Sequence, residues 1–186
     1  MENRTVLFSW ILVCLLICQL PHPSWAQQSP VPTPPAAPQL EYVCELRVNI
    51  GPALTVGETP HGTRRIIPIT GGTFSGPNMK GTIINGGADW QVVRKDGTTE
   101  LNALYTLKTD DGTLIYINNK GMRVATPAIA QRIANGETVS PNAYYFRAIP
   151  SFETPPGKYD WLMQTLFVSR AIRNPDGVII HVWKVL

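Results

Sequence analysis

Apolar and polar residues alternate through most of the chain beyond residue 40. In the run Leu40-Glu41-Tyr42-Val43-Cys44-Glu45-Leu46-Arg47-Val48, period two sets Tyr42, Cys44, Leu46 and Val48 on one face of an extended segment. The same pattern predicts strands over Tyr42–Asn49, Arg64–Ile69, Lys80–Ile84, Trp90–Arg94, Leu101–Lys108, Thr113–Asn118, Ala143–Ile149, Trp161–Arg170 and Gly177–Val185. Turn signals stand between them at Gly71-Gly72, Gly86-Gly87, Asp96-Gly97, Asp111-Gly112 and Asp176-Gly177. Asp-Gly pairs tolerate the positive φ angles of tight hairpins, so three of them make local antiparallel pairing the main organising pattern. Pro127–Ala134 is the one segment that reads as a short helix. The pattern predicts a mainly β, antiparallel domain and leaves barrel and sandwich open. A barrel removes exposed sheet edges and can enclose a small cavity. No βαβ rhythm or glycine-rich nucleotide fingerprint appears, which disfavours a dinucleotide-binding fold.

The first 39 residues break this pattern. Residues 1–26 read as a signal peptide: Arg4, the apolar run Val6–Leu20, then the small-x-small sequence Ser24-Trp25-Ala26. The apolar run is shorter than the roughly 20 residues that span a bilayer comfortably, so cleavage before Gln27 is expected to leave no stable membrane span. The expected destination is the periplasm or the exterior. Residues 27–39 carry Pro30, Pro32, Pro34, Pro35 and Pro38 and read as a flexible, partly polyproline leader, with the domain running over 40–186. Removing the signal peptide eliminates Cys14 and Cys18, so an internal disulfide is excluded. Cys44, on an apolar strand face with no thiolate-stabilising neighbour in sequence, reads as a buried and inert thiol.

Charge adds exclusions rather than a function. The formal net charge is +3, and the basic residues are dispersed, with Arg64-Arg65 the only adjacent arginine pair. Nucleic-acid binding is therefore not expected. His61 and His181 sit in no ligand-spaced cluster, so no metal site is expected. No Gly-x-Ser-x-Gly elbow marks a hydrolase, and no cofactor is implied.

From Gly71-Gly72-Thr73-Phe74-Ser75-Gly76-Pro77 through Gly81 to Gly86-Gly87-Ala88-Asp89-Trp90, the chain resembles the DUF3237 family, also called UPF0311. Asp96-Gly97, Ala103-Leu104-Tyr105, Thr109-Asp110-Asp111-Gly112, Tyr145-Phe146-Arg147, Pro150-Ser151-Phe152-Glu153-Thr154 and Tyr159-Asp160-Trp161-Leu162 extend the likeness over most of the domain. The resemblance implies an antiparallel barrel akin to allene oxide cyclase or calycin architectures, able to self-associate, possible as a homodimer. It implies neither cyclase activity nor lipid binding.

Candidate chemistry centres on Asp89 and Trp90, a hydrogen-bond acceptor beside an aromatic wall after a permissive Gly-Gly pair. The competing structural role is a turn-capping Asp89 and a core-filling Trp90. Tyr105 shares a face with Leu101, Ala103 and Leu107 and reads as inward. Tyr144 and Phe146 share one face, and Arg147 the other, where an external salt bridge is its simplest role. Asp111 belongs to a hairpin turn, leaving Asp110 as the better pocket candidate of that pair. Glu153 and Trp161 flank Pro155-Pro156-Gly157, a segment expected to cross a sheet end at a pocket mouth. Candidate ligand-binding residues are thus Asp89, Trp90, Tyr105, Tyr144, Phe146, Glu153 and Trp161. Candidate acid/base groups are Asp89, Asp110, Glu153 and Tyr105, whose use requires convergence and a raised carboxyl pKa.

Three functions fit this sequence. The first is an exported small-molecule-binding barrel holding an apolar or mixed-polarity organic ligand. The second is a cofactor-independent lyase, isomerase or cyclase acting on a small organic substrate. The third is a structural or interaction protein of the envelope. Titratable groups converging on a cavity would favour catalysis, an apolar pocket would favour binding, and a filled interior would weaken both.

Overall fold

Extended segments with one apolar face must cover that face, and here they do so by curling on themselves. The computed structural model describes residues 34–186, so the expected signal peptide 1–26 and most of the expected Pro-rich leader lie outside the described residues. The unit Ala37–Leu186 carries ten strands: β1 (Leu40–Ile50), β2 (Leu54–Thr59), β3 (Gly62–Ser75), β4 (Lys80–Ile83), β5 (Gly87–Val93), β6 (Thr99–Thr109), β7 (Leu114–Val124), β8 (Tyr145–Glu153), β9 (Phe167–Asn174) and β10 (Gly177–Val185). One α-helix, α1 (Pro127–Ala134), links β7 to β8, and a 3-10 turn spans Asp160–Met163.

All strand pairs are antiparallel. The order β1-β10-β9-β8-β7-β6 continues through β4 and β5, which share one position, to β3. β1 pairs back onto β3, closing an eight-position barrel and deciding against the sandwich. β3 serves two partners on each edge, β2 and β1 on one side and β5 and β4 on the other. That double duty explains its fourteen residues.

Several boundaries differ from the sequence pattern. Gly71-Gly72 is not a turn but lies inside β3, at φ +140° and +135°. β1 approaches so closely there that a Cβ on Gly72 would sit 2.0 Å from the Arg47 carbonyl oxygen. β2 escaped the pattern because Leu54 and Val56 are exposed, so the ladder to β3 rather than an apolar face holds it. The predicted strand Trp161–Arg170 starts only at Phe167. Before it, the 3-10 turn points Leu162 into the core and leaves Met163 exposed, so Trp161, Met163, Thr165 and Phe167 are not a single strand stripe. β7 runs six residues past its predicted end at Asn118. Its inward positions there are Asn119 and Arg123, polar residues that broke the alternation.

The barrel is solid at one end. Leu46, Leu107, Ile115, Ile117 and Val182 fill it, and Leu162 closes it from the connection before β9. Cys44 is fully buried in this layer, where burial pushes its thiol pKa up to about 12. The thiol is therefore protonated at neutral pH, a small core side chain rather than a nucleophile.

Candidate functional site

At the other end the interior positions change in size. Ala103, Ala148 and Ala171 face inward where the solid end carries Leu107, Ile117 and Phe152, and a cavity of about 440 Å³ opens. Ile67, Leu101, Val178 and Ile180 form apolar walls. Helix α1 lies against the cavity and contributes Ala130, Gln131 and Ile133. Thr126 caps the helix, its hydroxyl accepting from the Ile129 amide at 3.4 Å, and Pro127 occupies the first turn, where no intrahelical N–H is needed.

Against these walls stand Arg65, Asp89, Gln91, Tyr105, Asn119, Arg123 and Arg173. Register explains their meeting: Arg65 pairs across from Gln91, Asp89 from Ala103, Ala103 from Asn119, and Thr99 from Arg123. A hydrogen-bond chain orders one side. Arg65 Nε donates to Gln91 Oε1 at 2.8 Å, and Gln91 Nε2 donates to Asp89 Oδ2 at 2.5 Å. The Asn102 amide donates to Asp89 Oδ1 at 2.9 Å. The Tyr105 hydroxyl and the Asn119 side-chain oxygen are buried without a hydrogen-bond partner.

Burial holds the Asp89 carboxyl above its ordinary range, opposed by its bonds from Gln91 and Asn102 and by the Arg65 and Arg123 charges. Burial also raises the Tyr105 phenol. Burial, reinforced by Arg65 and Arg173, lowers the Arg123 guanidinium to about 10. The cavity thus holds three guanidiniums and one carboxylate whose proton is held more tightly than usual. Groups of this kind can polarise and charge-stabilise a molecule that enters the cavity, and Asp89 supplies the one carboxyl group among them.

Asp89, Tyr105 and Phe146 line this cavity together. The adjacent Trp90 points the other way: it is 38% exposed and lines a groove on the outer surface with Met122 and Tyr145. Tyr144 is buried beside the barrel strands, its hydroxyl accepting from the Arg173 amide at 3.0 Å. Glu153 and Asp110 are exposed, the latter paired with Lys80 at 3.3 Å. Trp161 packs on Phe167 at the solid end, with ring centroids 6.0 Å apart. Arg147 lies over the Tyr145 ring rather than in a salt bridge. Among the described residues no three His, Cys, Asp or Glu side chains gather as metal ligands.

Arg65, Gln91, Asn119, Arg123 and Arg173 escaped the sequence reading. A weak signal existed: Arg65 alternates with Ile67 and Ile69, Arg123 with Asn119 and Ile117, and Arg173 with Ala171. Polar residues in register with a buried face mark an interior that is not filled by hydrocarbon.

The chain is thus a closed antiparallel barrel, packed at one end and hollow with converging polar groups at the other. The chain belongs to the DUF3237 family, described as a protein of unknown function, whose sequence model matches residues 38–185. It is similar to the UPF0311 protein RPA1785 of Rhodopseudomonas palustris, 42% identical over 148 residues, covering 80% of this chain and 97% of that one. The crystal structure of RPA1785 matches with a TM-score of 0.80 at 40% identity, covering 82% of this chain and 100% of that one. A beta-barrel like protein from Acinetobacter baumannii matches with a TM-score of 0.72 at 41% identity, covering 82% and 99%. More distantly, the hydroalkoxylation enzyme phnH of Penicillium herquei is 29% identical over 122 residues, 66% of this chain and 77% of that protein.

Proposed function

We propose that this protein is an exported container for a small organic molecule, held in the cavity at the open end of the barrel. The observation that carries the reading is the 440 Å³ cavity itself, with apolar walls and a few converging polar groups. The test is native mass spectrometry on protein purified without added ligand. A retained small molecule is expected from the wild type and lost from Ala103→Phe, which fills the cavity. Trp90→Ala, on the outer surface, is expected to leave retention unchanged. Equal retention by wild type and Ala103→Phe rejects the cavity as the binding place. The apolar segment before Ser24-Trp25-Ala26 supports export; a mature N-terminus at Gln27 on protein recovered outside the cytoplasm tests that part.

A second reading, a cofactor-independent enzyme, is favoured by one arrangement: Asp89, with a raised carboxyl pKa, shares the cavity with an unpartnered Tyr105 hydroxyl. The name of the Penicillium relative, a hydroalkoxylation enzyme, supports small-molecule chemistry on related sequences. In this reading Asp89 moves the proton and Tyr105 holds a substrate oxygen. Turnover of a retained compound that Asp89→Asn abolishes without loss of binding supports catalysis. Equal turnover by folded Asp89→Asn rejects Asp89 as the base.

A further inference from the structure

We propose that the cavity selects an organic carboxylate, its planar head on Arg123 and its apolar body along Ile67, Leu101 and Val178. This rests on the container reading and specifies its cargo. Arg123 is only 9% exposed, lines the cavity, and has no hydrogen-bond or ion-pair partner among the described residues. Its cationic neighbours are already anchored. Arg65 Nε is bound to Gln91, and Arg173 Nη1 donates to the carbonyls of Pro175 and Gly177 at 3.2 and 3.0 Å.

The one acidic side chain lining the cavity acts on Arg123 only through its charge and makes no ion pair or hydrogen bond with it among the described residues. Asp89 has one oxygen on Gln91 and the other on the Asn102 amide. Three guanidiniums therefore face the cavity against a single carboxyl group, which leaves the interior with an excess of positive charge. A buried cation without a partner is costly, and a stable protein keeps one where something else completes it. A carboxylate matches the guanidinium fork with two parallel N–H···O bonds, a geometry that neither an amide nor an ammonium reproduces. The apolar walls leave the rest of the ligand to hydrocarbon or aromatic groups.

The experiment is isothermal titration of the full chain with 2-naphthoate, 2-naphthamide and 2-naphthyl phosphate, which share one body and differ in the head. Wild type is expected to bind the carboxylate at least about tenfold more tightly than the neutral amide, the discrimination typical of hydrogen bonds to a charged group. Arg123→Gln is expected to bring the carboxylate down to the amide's affinity while leaving the amide within about twofold. Arg64→Gln, on the outer surface, is expected to change neither. If Arg123→Gln does not fold, Arg123→Lys keeps the charge, loses the fork and is expected to keep only part of the preference. Equal binding of carboxylate and amide by wild type overturns the proposal and leaves the container reading intact. Tighter binding of the phosphate overturns the choice of carboxylate. If none of the probes binds, the carboxylate proposal fails, and the container reading is then judged separately by whether native mass spectrometry finds a retained molecule.

Discussion

Replacing Arg123 by methionine exchanges a buried guanidinium for a neutral chain of similar length. The folded protein lowers the Arg123 pKa from 12.5 to about 10, first by burial and then by the Arg65 and Arg173 charges. That fall corresponds to roughly 3 kcal/mol against the charged side chain. Because the folded value lies below the unfolded one, the penalty is fully present below about pH 10. It is relieved only as pH rises from there towards 12.5, so at pH 7 the folded state bears all of it. Methionine is flexible enough to follow the same wall, and part of the gain is lost to imperfect packing. The net expectation is a ligand-free protein more stable by about 1–3 kcal/mol. For a domain of this size that raises Tm by roughly 3–10 °C. Thermal unfolding at pH 7, checked by the urea midpoint at unchanged m-value, measures it. In the same samples 2-naphthoate should raise the melting point of wild type and not of Arg123→Met. A variant that melts at or below wild type refutes the reasoning, because it means the guanidinium is satisfied in the free protein.

Three further outcomes follow from other parts of the barrel. Gly87→Ala should cost about 2–3 kcal/mol, because its Cβ would lie 2.5 Å from Tyr105 Cβ and 2.6 Å from the Leu104 carbonyl oxygen. Gly86→Ala, at φ +118° with nothing within 4 Å, should cost only about 1 kcal/mol from backbone strain, and urea unfolding of the pair separates the two causes. Asp111 is held well below the usual carboxylate range by Thr109, Lys158 and Thr113, so its stabilisation is present above about pH 4 and lost as pH falls further. Asp111→Asn should therefore melt lower than wild type at pH 7, with the gap narrowing progressively as pH falls below about 4, and a gap that does not narrow there contradicts the assignment. Cys44 should resist thiol reagents in the native state and react fully in denaturant; fast native labelling would show that the solid end opens.

Period-two alternation and three Asp-Gly pairs were enough to determine an antiparallel β domain, because those local patterns constrain pleat and turn directly. The motif run from Gly71 to Trp90 carried the family, and with it the barrel. The same alternation also says that Asp89 and Trp90 face opposite ways, since adjacent strand residues always do. What period two cannot say is which face is inside. That was decided by closure of β1 onto β3, which turned Asp89, Tyr105 and Phe146 inward and left Trp90 outside. Strand ends were least legible where the interior is least ordinary. β7 was expected to stop at Asn118 because Asn119 and Arg123 look like surface residues, yet they line a cavity. The convergence of Arg65, Arg123 and Arg173, which lie 50 to 108 positions apart, exists only through the register of β3, β7 and β9 around the barrel. Inter-strand register joins distant residues through the whole sheet, so no local window of the sequence contains the site.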